Sequence, residues 1–328
     1  MEQSFEERVF LGSLVADAFA MPVHWYYNTL ALDRDYPQLA ECEEYLAPKN
    51  PHPDSILWRS VYQPISPDAD ILHQQAQYWG QHGVHYHQFL AAGQNTVNYQ
   101  LARELYQQVV DYGEYDAERW LIRYVKMMRE PEWHGDTYVE EYHRAFFNRL
   151  AGGVKLMKCG IDDKHIGGLS QVPALYAALR EAGVTDLKVV RNIIQQHIGL
   201  THQNRGVLQA GHILVRLLDA IRIGQDFETA LAQQANDVVS LKRFREWESR
   251  ADREVIGGFL SPACYIEDSF PAALYLAWKY RDDFIAGVRA NALVGGDNCH
   301  RGAVVGSLLA ALQPIPNQWL DPLLMTSA

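Results

Sequence analysis

Apolar residues recur along most of the chain at the three-to-four spacing of a helical face, and period-two alternation of the kind strands show is scarce. Over residues 5–21, Val9, Leu11, Leu14, Val15, Ala18 and Phe19 fit one such face, and Pro22 ends it. The same spacing predicts helices over 97–112, opened by Asn95 or Thr96, over 116–128, opened by Asp116, and over 140–150. Further helices are expected over 169–182, 187–198, 207–223, 227–239, 272–279 and 282–294, with a turn or two over 71–80. Residues 246–254 are charged and read as exposed. From 26 to 67 the chain turns aromatic, acidic and Pro-rich, a long excursion with room for one short helix. No internal repeat of 20–50 residues is visible. The expectation is an all-α protein, one compact multi-helix domain over 1–328.

The densest polar stretch lies at the far end, where Gly295-Gly296-Asp297-Asn298-Cys299-His300-Arg301-Gly302 precedes an apolar helix. Two glycines allow a tight turn, and Gly302 and Gly306, four apart, allow close packing against a neighbour. Asp297 or Asn298 either caps that helix or meets a ligand at its buried mouth. Asp17 sits inside the first apolar helix, where a backbone N–H or an Arg could satisfy it, and His24 follows just past its break. His85 and His87 share a face only if extended, and either hydrogen-bond there or share a metal.

Composition narrows the function classes. With 328 residues, 48% of them hydrophobic, the chain can bury a large core. A formal charge of −11 argues against nucleic-acid binding. No apolar run reaches about 18 residues, and no signal-like block opens the chain, so no membrane partner is expected. Cys42, Cys159, Cys264 and Cys299 are far apart, which fits reduced thiols in a cytoplasmic protein.

Four segments resemble the ADP-ribosylglycohydrolase family, which includes dinitrogenase reductase-activating glycohydrolases and crystallin J1 relatives. Gly12 to His24 is similar to the family's G-x-x-x-G-D-A-x-G-x-P-x-E. Gly93-Gln94-Asn95-Thr96 stands where the family has T-D-D-T. His165-Ile166-Gly167-Gly168 with Thr201-His202 resembles its Gly-rich phosphate loop and T-H turn. Ser269 to Tyr275, with Gly295-Gly296-Asp297, resembles S-x-P-A-A-L-x and G-G-D-T-D-T. The resemblance implies an orthogonal multi-helix fold of the ADP-ribosylglycohydrolase type and a ribosyl or ADP-ribosyl ligand.

It also implies two Mg²⁺ ions, but most of their ligands are replaced here. Gly93, Gln94 and Asn95 are neutral, Cys299 and His300 stand for Asp and Thr, and His24 stands for the Glu that works on water. One remaining carboxylate, Asp297, cannot hold two divalent ions a few ångströms apart. The expected site therefore has Asp297, His24 and His300 as catalytic groups. Gln94, Asn95, Thr96, Gly167, Gly168, His202, Cys299, His85 and His87 are expected to bind substrate. If one metal is present, Asp297 and His300 are its candidate ligands. Lys164, Arg205 and Arg301 are the cations available to a phosphate. Three functions stay open: a glycosidic hydrolase without the di-magnesium centre, a ribosyl-ligand binder without turnover, and a zinc or iron reaction using His85, His87, Cys299 and His300.

Overall fold

The computed structural model describes residues 3–325. Among them fifteen α-helices follow one another with short 3-10 turns between, three isolated β-bridges and no strand. In order they are α1 (Phe5–Ala20), α2 (Thr29–Asp35), α3 (Val97–Tyr112), α4 (Ala117–Arg129), α5 (Glu141–Ala151), α6 (Val172–Glu181), α7 (Leu187–Gly199) and α8 (Arg205–Arg222). α9 (Phe227–Gln234), α10 (Leu241–Trp247), α11 (Asp252–Val255), α12 (Ile266–Lys279), α13 (Phe284–Leu293), α14 (Asn298–Leu312) and α15 (Asn317–Met325) complete it. None of the described helices is long and apolar enough to cross a membrane.

Where the helices start differs from the sequence reading in physically traceable ways. α6 begins at Val172 because Pro173 suits a first helical turn, and the Gly167-Gly168 stretch before it winds as a separate 3-10 turn. α12 begins at Ile266, well before Ala272. Pro271 lies in its second turn and removes one backbone bond without ending the helix. The charged stretch at 246–254 is partly helical, in α10 and α11. α15, with Pro322 inside it, is not among the expected helices.

α1 and α14 form the centre of one continuous apolar core. They touch backbone to backbone: a Cβ built on Gly306 would lie 2.1 Å from the Gly12 carbonyl oxygen, and one on Gly12 would lie 2.4 Å from that of Gly306. Ala16 and Ala310 complete this seam. Small residues are required here because any side chain would force the two helices apart. The buried polar groups gather around the N-terminus of α14, which this seam holds beneath the C-terminal end of α1.

Asp17 ties α3 to this pair. Its carboxylate accepts hydrogen bonds from Asn95 Nδ2, the Thr96 N–H and Thr96 Oγ1, each at 2.9 Å. Thr96 is the N-cap residue of α3, yet its hydroxyl serves Asp17 and does not cap. Burial raises Asp17 to about 6 against these donors. Asp17→Ala leaves the Thr96 N–H, the Thr96 hydroxyl and one Asn95 N–H without this buried acceptor. We expect a loss of about 2–4 kcal/mol, read as a lower urea midpoint at unchanged slope. A midpoint within experimental error of the parent would show that the donors are satisfied elsewhere.

Candidate functional site

The turn at Gly295 and Gly296 sets the site's geometry. Both glycines have positive φ, 68° and 67°, and a Cβ on either would strike a carbonyl oxygen, that of Tyr26 or of Pro262, within 2.2 Å. Trp25 N–H donates to Gly296 O at 2.8 Å and Gly296 N–H donates back to Tyr26 O at 2.7 Å. Asp297 N–H donates to Pro262 O at 2.9 Å. These bonds hold His24, Asp297 and the 262–265 segment side by side. Trp25 itself adopts φ 60°, a strained conformation for a bulky residue, and stacks on His24 with ring centres 3.9 Å apart.

Asp297 is the N-cap residue of α14, but its side chain makes no cap bond. Its Oδ1 lies 2.8 Å from His24 Nε2 and 2.6 Å from His300 Nδ1. His24 Nδ1 meets His87 Nε2 at 2.7 Å, and His87 Nδ1 makes a short bond to Asp136. On the other side His300 Nε2 lies 3.0 Å from Glu140 Oε1. The result is a buried line that alternates carboxylates and imidazoles: Asp136, His87, His24, Asp297, His300, Glu140. Each member is 5% exposed or less, so water does not screen it.

Asp136 and Glu140 are the members of the line that sequence reasoning passed over. Asp136 also accepts the Val97 N–H at the start of α3, where the helix dipole favours an anion. Glu140 is the N-cap residue of α5, and like Asp297 it turns its carboxylate away from its own helix. Asn98 Nδ2 donates to Glu140 Oε2 at 3.2 Å and lies 3.0 Å from His300 Nε2. The Asn98 oxygen accepts from Tyr142 Oη at 2.7 Å and His143 Nε2 at 3.0 Å.

Charge along the line follows from these contacts. Burial disfavours a charged His300, but Asp297 and Glu140 outweigh it and hold the ring well above its ordinary pKa. Burial likewise disfavours ionised Asp297, and His300 and His165 outweigh it and keep the carboxyl well below its usual range. His24 is pushed down to about 3 by burial, against its bond to Asp297.

One edge of the line ends on an unsatisfied acceptor. Asp297 Oδ2 is buried and has no hydrogen-bond partner. His165 Nε2 faces it at 3.7 Å. His165 Nδ1 accepts the Gly167 N–H at 2.9 Å, so in the neutral ring the proton sits on Nε2, toward Asp297. Half-buried His165 and Cys264 line this edge, and Tyr27 and Tyr265, about half exposed, flank it. The Cys264 thiol is raised by burial and then by Asp297, so it is no ready nucleophile.

The other residues singled out by sequence are placed elsewhere or already committed. Gln94 lines an open groove with Phe89, Gln100 and Glu132, apart from the line, and Asn95 and Thr96 serve Asp17. Gly167 and Gly168 pack against Tyr142 and His202, and their N–H groups go to His165. His85 has both nitrogens engaged, by the Pro22 carbonyl and the His87 N–H. His202 packs at a tilt against Tyr142, with its Nε2 buried and unpartnered. The Cys299 thiol is buried, bonds the Asp17 carbonyl at 3.7 Å and is raised well above its ordinary pKa, mainly by burial. Arg301 is buried and bound to Asn291 and the Gly295 carbonyl. Lys164 lies over Tyr265, and Arg205 is exposed.

A family model for ADP-ribosylglycohydrolase matches residues 1–327. The chain belongs to this family. A solved structure described as an ADP-ribosylglycohydrolase-related protein complex shares the fold, with a TM-score of 0.59. It is 21% identical, over 97% of this chain and 92% of that one. No curated protein matches the sequence. The two Mg²⁺ ions implied by the family resemblance do not fit the line. Mg²⁺ demands a near-octahedral shell of oxygens, whereas Asp297 Oδ1 is flanked by imidazole nitrogens that also separate it from Asp136 and Glu140.

Proposed function

We propose that this ADP-ribosylglycohydrolase relative hydrolyses an N- or O-glycosidic bond of a ribosyl or ADP-ribosyl compound, at a centre built on Asp297 in place of two Mg²⁺ ions. The observation that carries the reading is a facing pair at one edge of the line. An unpartnered acceptor, Asp297 Oδ2, and a donor, His165 Nε2, stand 3.7 Å apart. That spacing is too long for a direct bond and suits a bridging hydroxyl, from ribose or water, that accepts from His165 and donates to Asp297.

Glycoside cleavage develops positive charge on the sugar ring, and a fixed carboxylate beside it lowers the barrier. Asp297 remains ionised because His300 and His165 favour its charge against burial. This revises the roles expected from sequence. The ring nitrogens of His24 and His300 are taken up within the line, so Asp297 faces the substrate and the two histidines hold it. Glu140 and Asp136 fix the outer ends. Trp25 and Tyr138 cover the His24 side and keep water away from the charges. Full burial of the line favours a second reading, a protein that binds a ribosyl ligand without turnover.

Both readings meet one experiment: turnover and thermal shift across N- and O-linked ADP-ribosyl conjugates, ADP-ribose and nucleosides. We expect turnover of at least one conjugate that millimolar Mg²⁺ does not raise. His165→Gln should lower kcat about 100-fold at nearly unchanged melting temperature. Ligand stabilisation with no turnover would select the binding reading. A strict requirement for Mg²⁺, or no response to any ribosyl compound, would overturn the proposal.

A further inference from the structure

The protons along the buried line do not balance if every imidazole is neutral. His87 gives its Nδ1–H to Asp136, so its Nε2 is bare and takes the Nδ1–H of His24. His24 then meets Asp297 with a bare Nε2, at 2.8 Å. From the other end, His300 gives its Nε2–H to Glu140 Oε1, the only acceptor beside it, since the neighbouring Asn98 Nδ2 is itself a donor, given to Glu140 Oε2. His300 then meets the same Asp297 oxygen with a bare Nδ1, at 2.6 Å. Two lone pairs and a carboxylate oxygen converge on one point. Repulsion there is relieved by two additional protons, one of them the charge that Asp297 and Glu140 favour on His300, or by a single divalent cation.

We infer that this point is a mononuclear metal site, with His24 Nε2, His300 Nδ1 and the Asp297 carboxylate as ligands to one divalent transition-metal ion of the zinc and iron class. Two imidazoles with one carboxylate form a donor set that such ions favour and Mg²⁺ does not. The three donor atoms lie within 4.8 Å of one another, and the two bonded separations, 2.8 and 2.6 Å, need open by only about 0.2–0.8 Å to reach the roughly 3.0–3.4 Å between neighbouring ligand atoms around an ion with bonds of about 2.1 Å.

Two further observations point the same way. Each ligand histidine has its other nitrogen held: His300 directly by Glu140, and His24 through His87 by Asp136. Partners of this kind fix the tautomer and orientation of metal-bound imidazoles. Independently, Asp297 Oδ2 is buried without a partner, so the ligand carboxylate keeps a second oxygen for the ion or for a substrate hydroxyl. His165 is outside the ligand set because its Nδ1 accepts the Gly167 N–H, which places its proton on the nitrogen facing Asp297. The site rests on the geometry of the line, whether or not a ribosyl bond is the substrate.

The test reads metal directly. Purified protein is stripped with a chelator, reloaded with Zn²⁺ or Co²⁺ and analysed for bound metal; Co²⁺ also gives a visible absorption spectrum. We expect one equivalent of Zn²⁺ or Co²⁺, no tight Mg²⁺, and a rise in melting temperature on loading. Asp297→Asn and His24→Gln should lose the ion, and Glu140→Gln should weaken affinity about 10- to 100-fold. His82→Ala, an exposed control, should retain it. A Co²⁺ spectrum of the unsubstituted chain keeps the test decisive if a variant fails to fold. Absence of bound Zn²⁺ and Co²⁺ in folded parent protein would overturn the site and leave two protons in its place. An ion that persists in both ligand variants would overturn it equally. A hydrolysis assay reports the proposed activity separately, so either can fail alone.

Discussion

Gly306→Ala is expected to abolish the native fold or to cost at least about 3 kcal/mol, through one added methyl group. The added Cβ would sit 2.1 Å from the Gly12 carbonyl oxygen and 2.7 Å from Ala16 Cβ. A clash with a flexible side-chain tip relaxes cheaply, but this one is with backbone, so α1 and α14 would have to separate along the seam. Separation would also pull Asp297 away from His24, since α14 carries the first and α1 leads directly into the turn with the second. Soluble yield, circular dichroism and urea unfolding measure the effect. A control at Gly183, a positive-φ glycine with nothing within 4 Å of its added Cβ, should show only the modest strain of its own backbone. Native-like stability of Gly306→Ala would mean the helices can slide apart at little cost.

The seam was legible in the sequence, because Gly302 and Gly306, four apart in an apolar helix, leave a side-chain-free stripe that a second backbone can approach. So was the helical architecture: 97–112 is α3 residue for residue, since Gly113 stops it in the left-handed conformation. Asp297, His24 and His300 could be picked out from where they fall in the family-like segments, and the structure brings all three into contact. The outer carboxylates were hidden for a definite reason. Asp136 falls just before the helix predicted over 140–150 and Glu140 opens it, where acidic residues are ordinary, and nothing local marks one that turns away. Thr96 and Asp297 are diverted in the same way, so cap positions conceal three of the tertiary contacts around the site. A density of Trp133, His134, Asp136, Tyr138, Glu140 and His143 within eleven positions was the available signal, one that periodicity does not weigh. Gln94 misled for the opposite reason: its place in a motif said nothing about which side of the chain its side chain takes.

Asp297→Asn should be the most damaging substitution for function. The amide keeps the size and one acceptor, so it isolates the charge. His300 would lose one of the two carboxylates that hold it charged, leaving Glu140 to support it alone. An NH₂ group would turn either toward a ring nitrogen or toward His165 Nε2, donor against donor. Removing one partner of a buried ion pair typically costs about 3–5 kcal/mol, so the melting temperature should fall while enough folded protein remains to assay. On the ribosyl substrate that the parent turns over, kcat should drop by about 1,000-fold or more, since the only unbonded anionic oxygen of the line is lost. The two readouts separate the roles. If Asp297 merely joined helices, the folded fraction would keep its turnover, and activity would track the amount of native protein. Turnover within tenfold of the parent in the folded variant would therefore refute Asp297 as the group that faces the sugar, whatever happened to stability.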